Sequence, residues 1–193
     1  LKEYPKVQIE LELTSRRVDL IHDDIDLAIR TNFQANEDSS LIVRNVIKTT
    51  HCLVASPELL KGRHIQHFTE LHEFPSVVLG MQKSQYYWHL NNREHGEVID
   101  IPLQPRIKSN DLAGVYYAVC DGFGIADLPY LAVEQDIKQG KLIHVLPEWC
   151  SNLGTVQLVY ASRKGQRLVM EKLIDYLVEG LRDLAKDHSG YAL

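Results

Sequence analysis

Apolar and polar residues alternate strictly through Val7-Gln8-Ile9-Glu10-Leu11-Glu12-Leu13, which predicts a half-buried strand. Its two glutamates suit an edge strand, where charge discourages stray pairing. Thr14-Ser15 ends that run, and Arg17 to Asp23 is expected to form a short helix with Val18, Leu20 and Ile21 turned inward. Asp26 to Arg30 reads as a short buried strand that exits into solvent or a cleft at the arginine. Ser40 to Ala55 is β-branched and apolar and reads as one long strand or two. Ser56-Pro57-Glu58 starts a helix, with Ser56 as cap and Pro57 at the first helical position. His64 to Leu71 reads as a second short helix and Ser76 to Leu79 as a strand.

The pattern continues in short units. Tyr86 to Leu90 and Glu97 to Ile101 flank the turn-rich Asn91-Asn92-Arg93-Glu94-His95-Gly96, the signature of an antiparallel hairpin. Arg106 to Lys108 is a strand, and Ser109-Asn110-Asp111 offers three good caps for the helix Leu112 to Asp121, which Gly122 closes. Strands at Ile125–Leu128, Leu142–Leu146 and Thr155–Ala161 enclose a helix at Leu131–Gln139. Val169, Leu173, Leu177 and Leu181 recur at four-residue steps and predict a final helix from Gln166 to about Lys186. The alternation of strands and helices implies an α/β fold with a largely parallel sheet.

Composition narrows the class. A chain of 193 residues suits one domain or two small lobes, and 45% hydrophobic with 24% charged residues excludes disorder and low complexity. A formal charge of −5 disfavours nucleic-acid binding by this chain alone. Three cysteines, an odd number and widely spaced, argue against a secreted disulfide framework. The most apolar stretch, Leu112 to Val133, contains Asp121, Asp127 and Pro129 and is no membrane span. No signal segment opens the chain. Leu1-Lys2-Glu3-Tyr4-Pro5 reads as the last turn of a helix stopped by a proline, so an upstream part is expected.

Catalytic and cofactor signatures are missing: there is no Cys-x-x-Cys, Gly-x-Ser-x-Gly, His-Glu-x-x-His or Walker loop. No cofactor is expected. Gly122-Phe123-Gly124 follows a helix and precedes a strand, the reverse of a dinucleotide fingerprint, and reads as helix capping. His64 and His67 stand at i, i+3 with His72 nearby, but no close cysteine or carboxylate completes a metal set, so a solvated helix face is expected. Cys52 and Cys120 read as core thiols, and Cys150 as a loop thiol open to a redox role. Asp23, Asp24 and Asp26 read as turn residues. A recurring position is more informative. Thr14-Ser15, Arg30-Thr31, Leu79-Gly80-Met81 and Ser109-Asn110 each stand at or after a strand end, where ligands gather in open α/β sheets. With a free helix N-terminus beside them, these groups fit a small polar or anionic ligand.

Several ordered motifs resemble the effector-binding domain of LysR-type transcriptional regulators. They are Tyr4-Pro5-x-Val7-x-Ile9-x-Leu11, Val18-Asp19-Leu20-Ile21, Asp26 to Arg30, Asp38 to Arg44 and Leu53-Val54-Ala55-Ser56-Pro57. Further on come Trp88, Asn110-Asp111, Gly122-x-Gly124-Ile125-Ala126-x-Leu128-Pro129, Gly140-Lys141-Leu142 and Val145-Leu146-Pro147-x-Trp149. Each is weak alone; their order and spacing are specific, and they cover nearly the whole chain.

The resemblance implies a two-lobed fold like type II periplasmic binding proteins, with the first strand missing from this chain. Lobe I would be residues 1–75 and 155–193, and lobe II residues 76–154. It implies a small-molecule effector between the lobes, touching Thr14, Ser15, Arg30, Thr31, Leu79, Gly80, Met81, Ser109 and Asn110. It implies an antiparallel homodimer through Ile9, Glu10, Leu11, Val18, Leu112, Val115, Tyr116 and Val119, with a tetramer open to the full-length protein. DNA would be read by a helix-turn-helix domain outside this chain, in the cytoplasm and without a membrane. Three alternatives stay open: a periplasmic solute-binding protein of a transporter, an enzyme of the same fold using Arg30, and a regulator sensing pH or oxidation through its histidines or Cys150.

Overall fold

The computed structural model describes residues 1–14, 16, 18–32, 41–80, 85–161 and 168–186. Two long strands organise it. β1 (Ala28–Asn32) is short; β2 (Leu41–Ala55) runs for fifteen residues and stops where Ser56-Pro57 begins a helix. Fifteen extended residues span roughly 50 Å, long enough to serve both ends of the molecule. Further along come β3 (Ser76–Leu79), β4 (Tyr86–Asn92), β5 (Val98–Leu103), β6 (Pro105–Ser109), β7 (Ala126–Pro129), β8 (Ile143–Val145) and β9 (Trp149–Ala161). β9 lies antiparallel along β2 from Leu41↔Ala161 to His51↔Ser151, and the register slips at Asn45/Ile47 and Thr49/His51. Such bulges bend and twist a strand, here midway along it.

One end of this ribbon carries β1 on β9. The other carries β7 and β8 on β2, and β4 with its hairpin partner β5 on β9. Every pairing in this seven-stranded sheet is antiparallel, which corrects the expected largely parallel sheet. Strand–helix alternation reports connections; direction here is dictated by two opposed long strands that recruit the rest. Parallel pairing is confined, among the described residues, to β3 with β6 and to the bridge from Ser76 to Ile125 beside β7.

The helices follow their signals closely. α1 (Pro57–Leu60) is capped by the Ser56 hydroxyl, which accepts from Leu59 N at 3.2 Å. α2 (Leu112–Cys120) is capped by Asp111, α3 (Tyr130–Lys138) follows Pro129, and α4 is Leu168–Lys186. The segment expected as a helix from His64 is instead a single 3-10 stretch, Phe68–Glu73. His67 is its cap, with its ring accepting from Thr69 N while the Glu70 carboxylate accepts from His67 N, so this histidine has a structural task. No metal-holding group of three His, Cys, Asp or Glu occurs among the described residues. Gly122 does close α2, with φ +77°. Gly124 serves packing: a Cβ there would lie 2.6 Å from the Pro75 carbonyl oxygen.

The core divides along β2. Leu53 and Ala55 pack with Leu60, Leu71, Trp88, Leu90, Ile125 and Trp149 on one face, while Cys52 and Val54 pack with Val77, Val115, Val119, Leu128 and Val133 on the other. Leu158, Ile174 and Val178 form a separate, smaller cluster under α4 at the opposite end. Leu53, Leu60, Leu71 and Phe74 therefore pack with residues from the middle of the chain such as Trp88 and Ile125. The change-over falls at the β2 bulges.

The first 27 residues depart most from expectation. Residues 7–14 form no ladder, and Ile9, Leu11 and Leu13 are 53%, 78% and 87% exposed. Alternation makes a strand only where an edge lies alongside, and no described strand takes that place. Over residues 18–23, the described part of the helix expected from Arg17 to Asp23, the chain makes a set of turns instead. Asp19 accepts from Ile21 N and His22 N, and Asp23 accepts from Asp19 N and the Arg16 guanidinium. Carboxylates that bond local backbone compete with the helical ladder. The Arg16 guanidinium also holds the Asp23 carboxyl below its ordinary range.

Candidate functional site

Two neighbouring parallel strands bring the middle residues together. Leu79 pairs with Ser109 at the carboxyl ends of β3 and β6. Gly80 follows at φ +120°, and its N–H donates to the Ser109 carbonyl at 2.7 Å. Ser109 is half-buried and Asn110 is exposed beside it. Met81 lies outside the described residues. The α2 N-terminus opens on this spot, but it is not free as expected. Asp111 Oδ1 accepts from Ala113 N and Oδ2 from Gly114 N, at 3.1 and 3.2 Å. A capping carboxylate there already satisfies two orphan N–H groups and answers the helix dipole.

From the other end of the molecule, β1 contributes Arg30 opposite Gln157 and Thr31 opposite Val156. Thr31 is exposed. Thr14 is exposed too, and its hydroxyl accepts from Arg16 N at 3.3 Å; Ser15 lies outside the described residues. The structure thus gathers Leu79, Gly80, Ser109 and Asn110 at one place and Arg30 with Thr31 at another.

The surface residues divide likewise. Ile9 and Leu11 are exposed, as is Glu10, and Val18 is half-buried. Val115 and Val119 are fully buried in the core, so they offer a partner nothing while α2 stays docked. The outward face of α2 presents Leu112, 38% exposed, and Tyr117, 64% exposed. Tyr116 is half-buried: its hydroxyl donates to Asp136 Oδ2 at 2.9 Å and accepts from Lys141 Nζ. That hydroxyl, and then Asp136, hold the Lys141 ammonium above its ordinary range.

Two polar arrangements had no motif to announce them. Ser151 on β9 donates to Asp127 Oδ2 on β7, and His51 Nδ1 on β2 stands 3.4 Å from the same oxygen. Thr50 Oγ1 donates to the Ser151 carbonyl at 2.9 Å, so three strands are tied at the second bulge. At the first bulge, Asn45, Gln157 and Arg30 stand side by side on β2, β9 and β1. Cross-strand neighbours are invisible until the register is known.

Buried groups weigh against the thiol and proton readings at two positions. Cys52 is fully buried, and desolvation pushes its thiol far up, away from reactivity. Burial, then the charge of Arg93, lowers His144 to about 4, so it stays neutral at ordinary pH. Cys150 is 3% exposed and belongs to β9, not to a loop.

A parallel strand pair ending at a helix N-terminus, joined by two long strands to a second small lobe, is the arrangement the family resemblance requires. The model of the LysR substrate binding domain matches residues 1–182. The chain belongs to that family. It is an effector-binding domain of the LysR type, with the two-lobed fold of type II periplasmic binding proteins. It is 30% identical, over 196 aligned positions, to the HTH-type transcriptional regulator DmlR of Escherichia coli, covering 97% of this chain and 62% of that protein. It resembles the solved regulatory domain of CrgA, a LysR-type transcriptional regulator from Neisseria meningitidis, with a TM-score of 0.79 and 27% identity over 93% of this chain and 87% of that one. The regulatory domain of AphB from Vibrio vulnificus superposes with a TM-score of 0.72 and 27% identity, over 92% and 85% of the two chains. This LysR-type domain spans 56% to 62% of the length of the first curated relatives it matches.

Proposed function

We propose that this domain is the ligand-sensing and dimerisation part of a bacterial, cytoplasmic transcriptional regulator. A small polar or anionic effector binds between the lobes, and DNA is contacted by a separate domain of the full-length protein. It carries out no catalysis. The lobes change over at residues 48–51 and 151–155, where the core divides. The observation that carries the reading is the Leu79-Gly80 and Ser109-Asn110 cluster at the ends of β3 and β6, joined through β2 and β9 to the strand bearing Arg30 and Thr31. Relatives named as transcriptional regulators favour this over a transporter component. Binding biases lobe closure or dimer packing, and that equilibrium couples to the DNA-binding part.

The homodimer uses Ile9, Glu10 and Leu11 against the outward face of α2, where Leu112 and Tyr117 are the exposed apolar side chains. Melting the protein against organic acids, aromatics and amino acids, with sedimentation of the same samples, tests both parts. A ligand at about 100 times its Kd adds roughly 2.7 kcal/mol. At this size that is a shift of roughly 5–10 °C. The shift should vanish in Asn110→Leu and Arg30→Met, and Tyr117→Arg should sediment as a monomer. A shift indifferent to both cleft variants would overturn the site, and a monomer in the unsubstituted protein would overturn the dimer.

A further inference from the structure

Gln157 is a buried amide in a place the fold leaves incompletely satisfied. It is 8% exposed, and its Nε2 donates to Asn45 Oδ1 at 2.8 Å. Its Oε1 is buried and accepts no hydrogen bond among the described residues. Most buried side-chain polar atoms have a partner, and an unmet one costs stability. The residue stands directly opposite Asn45 on one side and Arg30 on the other. Directly opposite side chains share a sheet face. Leu158 and Tyr160, of alternate parity, pack under α4, so the amide–amide–guanidinium row lies on the face away from that helix. It stands two residues from the strand exit at Asn32↔Thr155.

We propose that Gln157 is a specificity-determining residue of the effector site, and that the effector is a small organic acid with a hydroxyl on the carbon next to its carboxylate. This rests on the reading of Arg30 as a cleft residue. A guanidinium has five donors and no acceptor, so it can serve the fold and still grip a carboxylate in its fork. Gln157 Oε1 only accepts, and therefore calls for a donor. Arg30 and Gln157 are one cross-strand step apart, which places the donor close to the carboxylate. An ammonium is a donor as well, but the Arg30 guanidinium one step away repels a second positive charge. A hydroxyl is not repelled.

The test is calorimetric titration of this protein with matched sets: lactate, propionate, pyruvate and alanine; 2-hydroxyglutarate and glutarate; mandelate and phenylacetate. In at least one set the hydroxy acid should bind roughly tenfold tighter than its parent acid, the worth of one hydrogen bond. Gln157→Leu should bring the hydroxy acid down to the parent's affinity and leave the parent unchanged. Gln157→Glu keeps the size and the acceptor but sets a negative charge beside Arg30, so it should weaken both acids; it covers the case in which the leucine variant does not fold. Equal affinities within every set, preference for the oxo or amino acid, or discrimination that survives Gln157→Leu would overturn the proposal. If another class of compound then binds in a manner abolished by Asn110→Leu, the sensor reading stands and only the hydroxy-acid assignment falls. If no compound binds in a manner sensitive to Arg30→Met or Asn110→Leu, both fall.

Discussion

His144 illustrates how one side chain ties stability to pH. Burial, with Arg93 nearby, holds its folded pKa at about 4, well below the ordinary 6.5. The unfolded chain therefore binds the extra proton first as pH falls. Stability rises with pH wherever the unfolded state holds more protons. The contribution of neutral His144 is thus complete above about pH 6.5 and is lost progressively down to about pH 4. His144→Gln should flatten that part of the stability–pH curve and leave the region above pH 7 unchanged in slope. Urea midpoints at half-unit pH steps check this. An unchanged slope in the variant would assign the acid sensitivity to other groups.

At the scale of elements, what could be read from the sequence depended on whether a signal was local. Ser56-Pro57, Asp111 and Gly122 are local, since each acts on backbone groups within a turn, and α1 and α2 start and stop where they imply. The Asn91 to Gly96 turn is local too, and the β4–β5 hairpin forms around it, with the Asn92 side chain accepting from Glu94 N and His95 N. Long-range pairing was not legible. Val7 to Leu13 has a strand's alternation, yet a strand also needs an edge, which its own residues cannot specify. Helix facing was half legible: Val115 and Val119 could be read as apolar, but only packing against Val77 and Leu128 shows that they point inward. The candidate site divides the same way. Ser109 and Asn110 are marked by their place at the end of a strand, and Arg30 by an expected strand exit that β1 in fact passes, running on to Asn32, whereas Gln157 looks like an ordinary polar residue in a strand until the register sets it between Arg30 and Asn45.

At the scale of the whole molecule, β2 passes through two environments of unequal strength. From Cys52 to Ala55 every residue is at most 1% exposed, and the strand is flanked by β7 on one side and by β8 on the other. From Leu41 to Lys48 no residue is fully buried, and β9 is the only described strand alongside, so alternate amides face away from the ladder. The small cluster of Leu158, Ile174 and Val178 holds that outer end, against two larger clusters at the inner end. Local opening follows the local density of buried contacts. The outer half of β2 should therefore open as a unit without the inner half. Amide exchange should be at least about tenfold faster at Val43 and Val46 than at Leu53 and Val54, with the break at the Thr49/His51 bulge. Uniform protection from Leu41 to Ala55 would mean that the two ends melt together. A break at the bulge would give the proposed effector a mechanical target: a strand firmly set at one end and yielding at the other. The row that includes Arg30 and Gln157 lies on the yielding side, so an effector bound there as proposed should raise protection most in that half.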